Sequence, residues 1–154
     1  MTSQTDLYQQ VILEHNKKPR NFGKPAHHTH AAEGFNPLCG DHLWVYLTID
    51  SGADGSEIIN EAAFEGSGCA ICKASASMMT MALKGQTTTA AKTLFTEFQS
   101  LLKGELNPES QPHQLGKLKI FSGIWQYPAR VKCAALAWHA LNGALNNQKT
   151  VSTE

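Results

Sequence analysis

Apolar and polar positions are most clearly organised between His42 and Asp50, where β-branched and aromatic residues crowd together and alternate in part. That composition and period predict a strand. Ser51 to Ser56, with Gly52 and the Asp54-Gly55 pair, reads as a hairpin turn. Glu57 to Glu65 then returns as a second long strand, with Ile58 or Ile59, Ala63 and Phe64 apolar. Ala31 to Phe35 predicts a shorter strand ahead of them. Sequential strands joined this way form an antiparallel sheet of two or three strands.

The helical period governs the remainder. Asp6 to Lys17 carries a loose apolar stripe of Leu7, Val11, Ile12 and Leu13, with Thr5 or Asp6 as a cap and Pro19 beyond its end. Cys69 to Lys84 predicts a second helix that Gly85 terminates. Its first half is made of small residues (Ala70, Ala74, Ser75, Ala76, Ser77), which let another backbone approach closely. Thr88 or Thr89 caps a third helix running to about Lys103, with Leu94, Phe95, Phe98, Leu101 and Leu102 apolar. A short helix is expected from Pro112 to Phe121 or Ile124. A last helix is expected from Pro128 to about Leu145, with Val131, Leu136 or Ala135, Trp138, Leu141 and Leu145 inward. Neither a repeat nor a linker divides the chain, so residues 1–154 read as a single domain with 146–154 as a loose tail.

Composition narrows the function classes. The 154 residues suffice for one core without disulfides. Thirteen basic residues balance 13 acidic ones, so no global field attracts nucleic acid or an anionic membrane. Met1 to Asp6 lacks the basic and apolar regions of a signal peptide, and no apolar run is long enough to span a bilayer. The expected compartment is the cytoplasm, where four cysteines are more naturally metal ligands or reactive thiols than two bridges.

The chemistry concentrates at Asn36-Pro37-Leu38-Cys39-Gly40-Asp41, which sets a thiol and a carboxylate two residues apart on a turn. Side chains at i and i+2 converge on one point there, and both are typical ligands for zinc or iron. Further sulfurs are available at Cys69, Cys72 and Cys133. Cys69 follows a Gly66-Ser67-Gly68 corner at a helix start, where exposed amides favour a thiolate. Cys133 lies in an apolar helix, where a cysteine taken alone is more often core filler than ligand. Cys69 and Cys72 together form a Cys-x-x-Cys, open to a redox pair or a four-cysteine zinc site. His27, His28 and His30 sit on a polar loop, where imidazoles are ordinarily solvated.

Three motifs taken together resemble the IscU/NifU-N family of iron–sulfur assembly proteins, most closely its SufU branch. They are Asn36 to Asp41, Gly66 to Cys69 with Ala74-Ser75-Ala76-Ser77-Met78-Met79, and Tyr127-Pro128-Ala129-Arg130-Val131-Lys132-Cys133 through Trp138. The resemblance implies an α+β fold, a small antiparallel sheet of about three strands with helices on one face. It also implies that Cys39, Asp41, Cys69 and Cys133 meet around one metal, leaving Cys72 outside. Isc-type members carry a His where Lys132 stands, and a Leu-Pro-Pro-Val-Lys chaperone-recognition sequence where this chain reads Tyr127-Pro128-Ala129-Arg130-Val131. The segment before Tyr127 is also longer than in Isc-type members.

For such a chain the resemblance implies a zinc-dependent carrier of persulfide sulfur. The sulfur comes from a pyridoxal-phosphate cysteine desulfurase of the SufS kind and passes on to downstream iron–sulfur assembly proteins. Cys39 would be the nucleophile. Arg130 and Lys132 would offset the anionic charge, with Arg130 positioning Asp41. The alternatives are a scaffold building a [2Fe–2S] cluster or holding iron on the same ligands, a thiol–disulfide oxidoreductase using Cys69 and Cys72, and a purely structural zinc protein.

Overall fold

The computed structural model describes residues 4–153. Met1 to Ser3 and Glu154, the ends of the expected leaderless start and loose tail, lie outside the described residues. The order is α1 (Gln4–Lys17), β1 (His30–Asn36), β2 (Asp41–Ser51), β3 (Glu57–Ser67), α2 (Ala70–Leu83) and α3 (Thr88–Leu102). A 3₁₀ segment (Gly116–Gln126), α4 (Pro128–Leu145) and β4 (Thr150–Ser152) complete it.

The fold is α+β, with a four-stranded sheet in the order β3-β2-β1-β4. β1–β2 and β2–β3 are antiparallel. The tail expected to be loose instead contributes β4, which pairs in parallel with β1, so the sheet is mixed and one strand wider than expected. Gly143 lets Val151 approach closely, since an added Cβ there would sit 2.7 Å from a Val151 methyl. β4 covers the outer edge of β1. At the opposite edge, the Phe22 backbone bridges Phe64, with Gly23 N–H donating to the Phe64 carbonyl at 2.8 Å. Both edges are thereby shielded from pairing with other chains.

Alternation along β2 buries Leu43, Val45, Leu47 and Ile49 toward the helices. On β3 the register shifts between Thr48 and Ile49, Asn60 being the extra residue. That bulge settles the inward position in favour of Ile59, which is fully buried while Ile58 is not.

α2 and α4 pack on the sheet, and α1 packs on α2. The small residues of α2 act as expected. Ser75 Oγ donates to the Ala134 carbonyl at 2.6 Å and accepts the Trp138 indole N–H at 3.1 Å, joining α2 tightly to α4. α4 is consequently buried continuously from Cys133 to Trp138 rather than along one face. Trp138 stacks on Phe98 at 4.5 Å, Phe98 meets Phe121 edge-on at 5.5 Å, and Phe121 meets Tyr8 at 5.9 Å. This aromatic chain ties α4, α3, the 3₁₀ segment and α1 together.

Three local expectations are corrected. α1 begins at Gln4, ahead of the proposed caps, and its inward stripe includes Tyr8, Ile12 and His15, while Leu7 and Leu13 are exposed. The cap of α3 is Thr87, whose hydroxyl accepts the Ala90 N–H at 3.0 Å. The helix expected from Pro112 is a 3₁₀ segment that starts only at Gly116.

His15 earns its inward place by hydrogen bonding: its Nδ1 lies 2.7 Å from Ser77 Oγ. That hydroxyl also accepts the Arg20 N–H at 2.8 Å, leaving its own proton for the ring, which suits neutral imidazole. Burial, and secondarily the Arg20 charge, holds His15 below its ordinary value. The unfolded chain therefore binds a proton that the folded protein resists. The His15 contribution is complete above the ordinary value of 6.5 and declines as pH falls from there toward the depressed folded value. His15→Gln is expected to flatten the dependence of Tm on pH between about pH 5 and pH 7. An unaltered profile would assign the acid sensitivity to other groups, such as His139, which burial also holds down.

Candidate metal centre

The sheet register assembles the site. Asn36 pairs with Asp41 at the end of the β1–β2 ladder, so Pro37 to Gly40 form a tight hairpin loop. Gly40 N–H donates to the Asn36 carbonyl at 2.9 Å, and Gly40 adopts φ +74°, a left-handed conformation that glycine takes at little cost. His42 pairs with Ser67, so the start of β2 lies beside the end of β3. The α2 N-terminus follows two residues later, and Cys69 is its N-cap residue. α4 crosses the same end of the sheet and brings Cys133 with it.

Asp41 ties these pieces together. Its carboxylate is 2% exposed; Oδ2 accepts from Asn36 Nδ2 and Oδ1 accepts the Cys69 N–H, each at 3.0 Å. The Cys133 thiol donates to Cys39 Sγ at 3.4 Å. One ligand atom each from Cys39, Asp41 and Cys133 lies within 4.8 Å of the others. Cys133 is thus buried yet aimed at the turn, not spent as core filler. Cys69 stands beside this trio: its backbone holds Asp41, and its sulfur accepts the Cys72 N–H at 3.4 Å.

These neighbours set the sulfur chemistry. The nearby Cys133 thiol pulls the Cys69 thiol down to about 6 against opposing burial, with the Cys72 N–H at the helix start assisting. Cys133, its partner in that interaction, is correspondingly raised. Cys72 is fully buried, and burial pushes its thiol up, so it stays protonated. Cys39 is exposed on the loop beside Leu38, which is 62% exposed.

The cations lie around this centre without binding to it. Arg130 places its guanidinium 4.5 Å from the Tyr127 ring centroid, and Lys132 is half-buried. Neither forms an ion pair among the described residues; Asn36 and the Cys69 backbone hold Asp41, the task expected of Arg130. The three histidines remain apart from the cluster, and His30, expected on the loop, instead opens β1 and is half-buried. His27 and His28 are exposed, His28 rests on Tyr46 at 5.1 Å, and His30 bonds Thr29 at 2.8 Å.

Two neighbours escaped the reading from sequence. Asn36 is fully buried; its amide also lies 3.6 Å from Cys133 Sγ, and its Oδ1 accepts from Thr153 at 3.1 Å. Its signal was the period of β1, which puts Ala32, Gly34 and Asn36 on one inward face. Tyr8 carried no such signal, because only the fold brings α1 near Cys69 and Cys133.

Residues 7–149 match the family described as NifU-like N terminal domain. The chain belongs to this family. It is a family of iron–sulfur cluster assembly scaffold proteins, and its named relatives divide between two descriptions. The zinc-dependent sulfurtransferase SufU of Bacillus subtilis (strain 168) is 38% identical over 135 residues, which cover 88% of this chain and 86% of that one. The iron–sulfur cluster assembly scaffold protein IscU of Streptococcus pyogenes serotype M1 is 34% identical over 139 residues, covering 90% and 82% respectively. The crystal structure of FiSufU from Fervidobacterium islandicum AW-1 superimposes with a TM-score of 0.78 at 31% identity, covering 88% of this chain and 94% of that chain. No helix among the described residues of this NifU-like domain is long and apolar enough to cross a membrane.

Proposed function

We propose that this NifU-like protein accepts persulfide sulfur from a pyridoxal-phosphate cysteine desulfurase and carries it to iron–sulfur assembly. Cys39 is its nucleophile, and zinc is held by Cys39, Asp41, Cys69 and Cys133. The observation that carries the reading is the approach of the Cys39, Asp41 and Cys133 donor atoms to within 4.8 Å of one another, with the Cys69 N–H bonded to the same Asp41 carboxylate. Three sulfurs and one carboxylate suit zinc in both number and chemistry. Bound zinc would keep these sulfurs as thiolates at neutral pH.

The protein divides the labour by position. Cys69 and Cys133 stand on helices and are half-buried or buried, so they are held in place. Cys39 sits on an exposed loop and can reach out of the cluster. Its sulfur attacks the outer sulfur of the desulfurase persulfide, a new S–S bond forms at Cys39, and the desulfurase cysteine leaves as a thiolate. Asn36 and the Cys69 N–H fix the Asp41 carboxylate throughout. Lys132 and Arg130 offset the anionic charge from the periphery.

The second reading is assembly of a [2Fe–2S] cluster on the same four residues, favoured by the IscU relative. Burial of Cys72 speaks against a Cys69–Cys72 oxidoreductase, which needs both thiols reachable.

Metal and acid-labile sulfide measured on anaerobically purified protein, before and after a desulfurase and cysteine, tests the proposal. About one zinc per chain, no labile sulfide and a mass gain of one sulfur on Cys39 are expected. Iron and sulfide in equal amounts, with no sulfur on Cys39, would transfer the conclusion to the scaffold reading.

A further inference from the structure

At the first turn of α4, the helix that carries Cys133, lies a cavity of about 290 Å³, lined among others by Tyr8, Ile120, Ile124, Gln126, Tyr127 and Arg130. Its walls come from α1, the 3₁₀ segment and the first turn of α4. Ile120 and Ile124 are buried and give it an apolar side. Its polar side is unbalanced. Arg130 rests on the Tyr127 ring and pairs with no carboxylate among the described residues. The Tyr8 hydroxyl is buried and has no hydrogen-bond partner among the described residues. α4 begins without a side-chain cap, so its first turn adds positive potential at the same corner. A buried hydroxyl lacking an acceptor, beside an exposed guanidinium that pairs with no carboxylate among the described residues, offers two donors to an anion with two acceptor oxygens.

The cavity is coupled to the cluster by position. Arg130 precedes Cys133 by three residues, so both lie on one face of α4. The Tyr8 hydroxyl lies within electrostatic reach of Arg130, Cys69 and Cys133. A small molecule anchored there by a carboxylate would sit about one helical turn from Cys133.

We infer that this cavity is a binding site for a small carboxylate-bearing thiol, which takes the sulfane sulfur from Cys39. The carboxylate is held by Arg130 and the Tyr8 hydroxyl. The inference rests on the sulfur-carrier reading above. The incoming thiolate attacks the outer sulfur of the Cys39 persulfide. The bond from Cys39 Sγ to that sulfur breaks and a new S–S bond forms on the small molecule. Cys39 leaves as a thiolate, and the proton stays on the transferred sulfur. One persulfide replaces another, so no external oxidant or reductant is consumed. Arg130 and Tyr8 position the acceptor and do not themselves react.

Two arms test this on the metal-loaded protein. In the first, amide NMR shifts follow titration with methylthioacetate, an unreactive carboxylate, and with methylthioethanol, its neutral counterpart. Saturable shifts around residues 122–130 are expected with methylthioacetate alone, weakened about tenfold by Arg130→Gln and less by Tyr8→Phe. No saturable shift, or equal affinity in Arg130→Gln, overturns the site. In the second arm, persulfide-loaded protein is mixed with thioglycolate or mercaptoethanol. Arg130→Gln should slow transfer to thioglycolate about tenfold more than it slows transfer to mercaptoethanol, because only the former carries the carboxylate. Equal slowing of both thiols, or of neither, overturns the acceptor role even where binding is seen. If Cys39 never loads with sulfur, the carrier reading and the acceptor role with it fail, and the first arm still decides whether the cavity binds carboxylates.

Discussion

Replacing Cys39 with alanine is expected to lower sulfur uptake from a desulfurase by about a hundredfold or more while leaving the fold intact. Both halves follow from where Cys39 stands. Its side chain is exposed on a four-residue loop, so deleting one sulfur opens no cavity, and stability should change by no more than about 0.5 kcal/mol. Asp41 keeps its two hydrogen bonds, from Asn36 and from the Cys69 N–H, and neither involves the Cys39 side chain. The remaining sulfurs are poor substitutes: Cys133 is buried, Cys69 is half-buried at the start of a helix, and Cys72 is sealed. Mass spectrometry of the intact protein after incubation with desulfurase and cysteine reads the outcome. Uptake by Cys39→Ala equal to that of the parent protein would remove Cys39 from the mechanism.

The largest expected effect on folding comes from a glycine. Gly66 sits near the end of β3 at φ +130°, and a Cβ there would lie 2.1 Å from the His42 carbonyl oxygen and 2.9 Å from Leu43 Cα. Both obstacles are backbone of the paired strand, so no side-chain rotation relieves the clash. Gly66→Ala is therefore expected to destabilise the protein by about 3 kcal/mol or more, through strain and forced separation of β2 from β3. The site should fail with it. His42 follows Asp41, and Gly66 lies three residues before Cys69, so parting the strands stretches the contact between the Asp41 carboxylate and the Cys69 N–H. Chemical denaturation, with metal content measured in parallel, checks both consequences. A variant with parental stability and full metal content would show that the corner tolerates a side chain.

Much of the fold was legible because its signals are local. The alternation in β2, the turn at Asp54-Gly55, Pro128 at the start of α4 and the small residues of α2 each constrain only a few neighbouring positions, and each appears in place. Errors fell where a distant partner overrides local preference. β4 is three residues of an otherwise polar tail and is a strand only because the edge of β1 lies open beside it. Tyr8 and His15 turn inward on α1 because Phe121 and Ser77 receive them, whereas Leu7 and Leu13, more apolar by type, find nothing to cover them.

The same division holds for the centre. The chain's own pattern supplied the ligand types: a thiol and an acid on one turn, a thiol at a helix start where amides stabilise its anion, and a thiol in the last helix. What the pattern could not supply was distance, since residues 39, 69 and 133 belong to separate elements whose meeting depends on strand register and helix crossing. Tertiary structure decided that Cys133 faces the turn, that Cys72 is sealed in, and that Asn36 with a backbone amide, not Arg130, holds Asp41. Among the described residues it also left Arg130 without a carboxylate and the Tyr8 hydroxyl without a hydrogen-bond partner, in a shared cavity. The physical reason is common to all of these outcomes: backbone preference acts over a few residues, whereas a buried polar group is placed by whichever donor or acceptor the packed chain brings within reach.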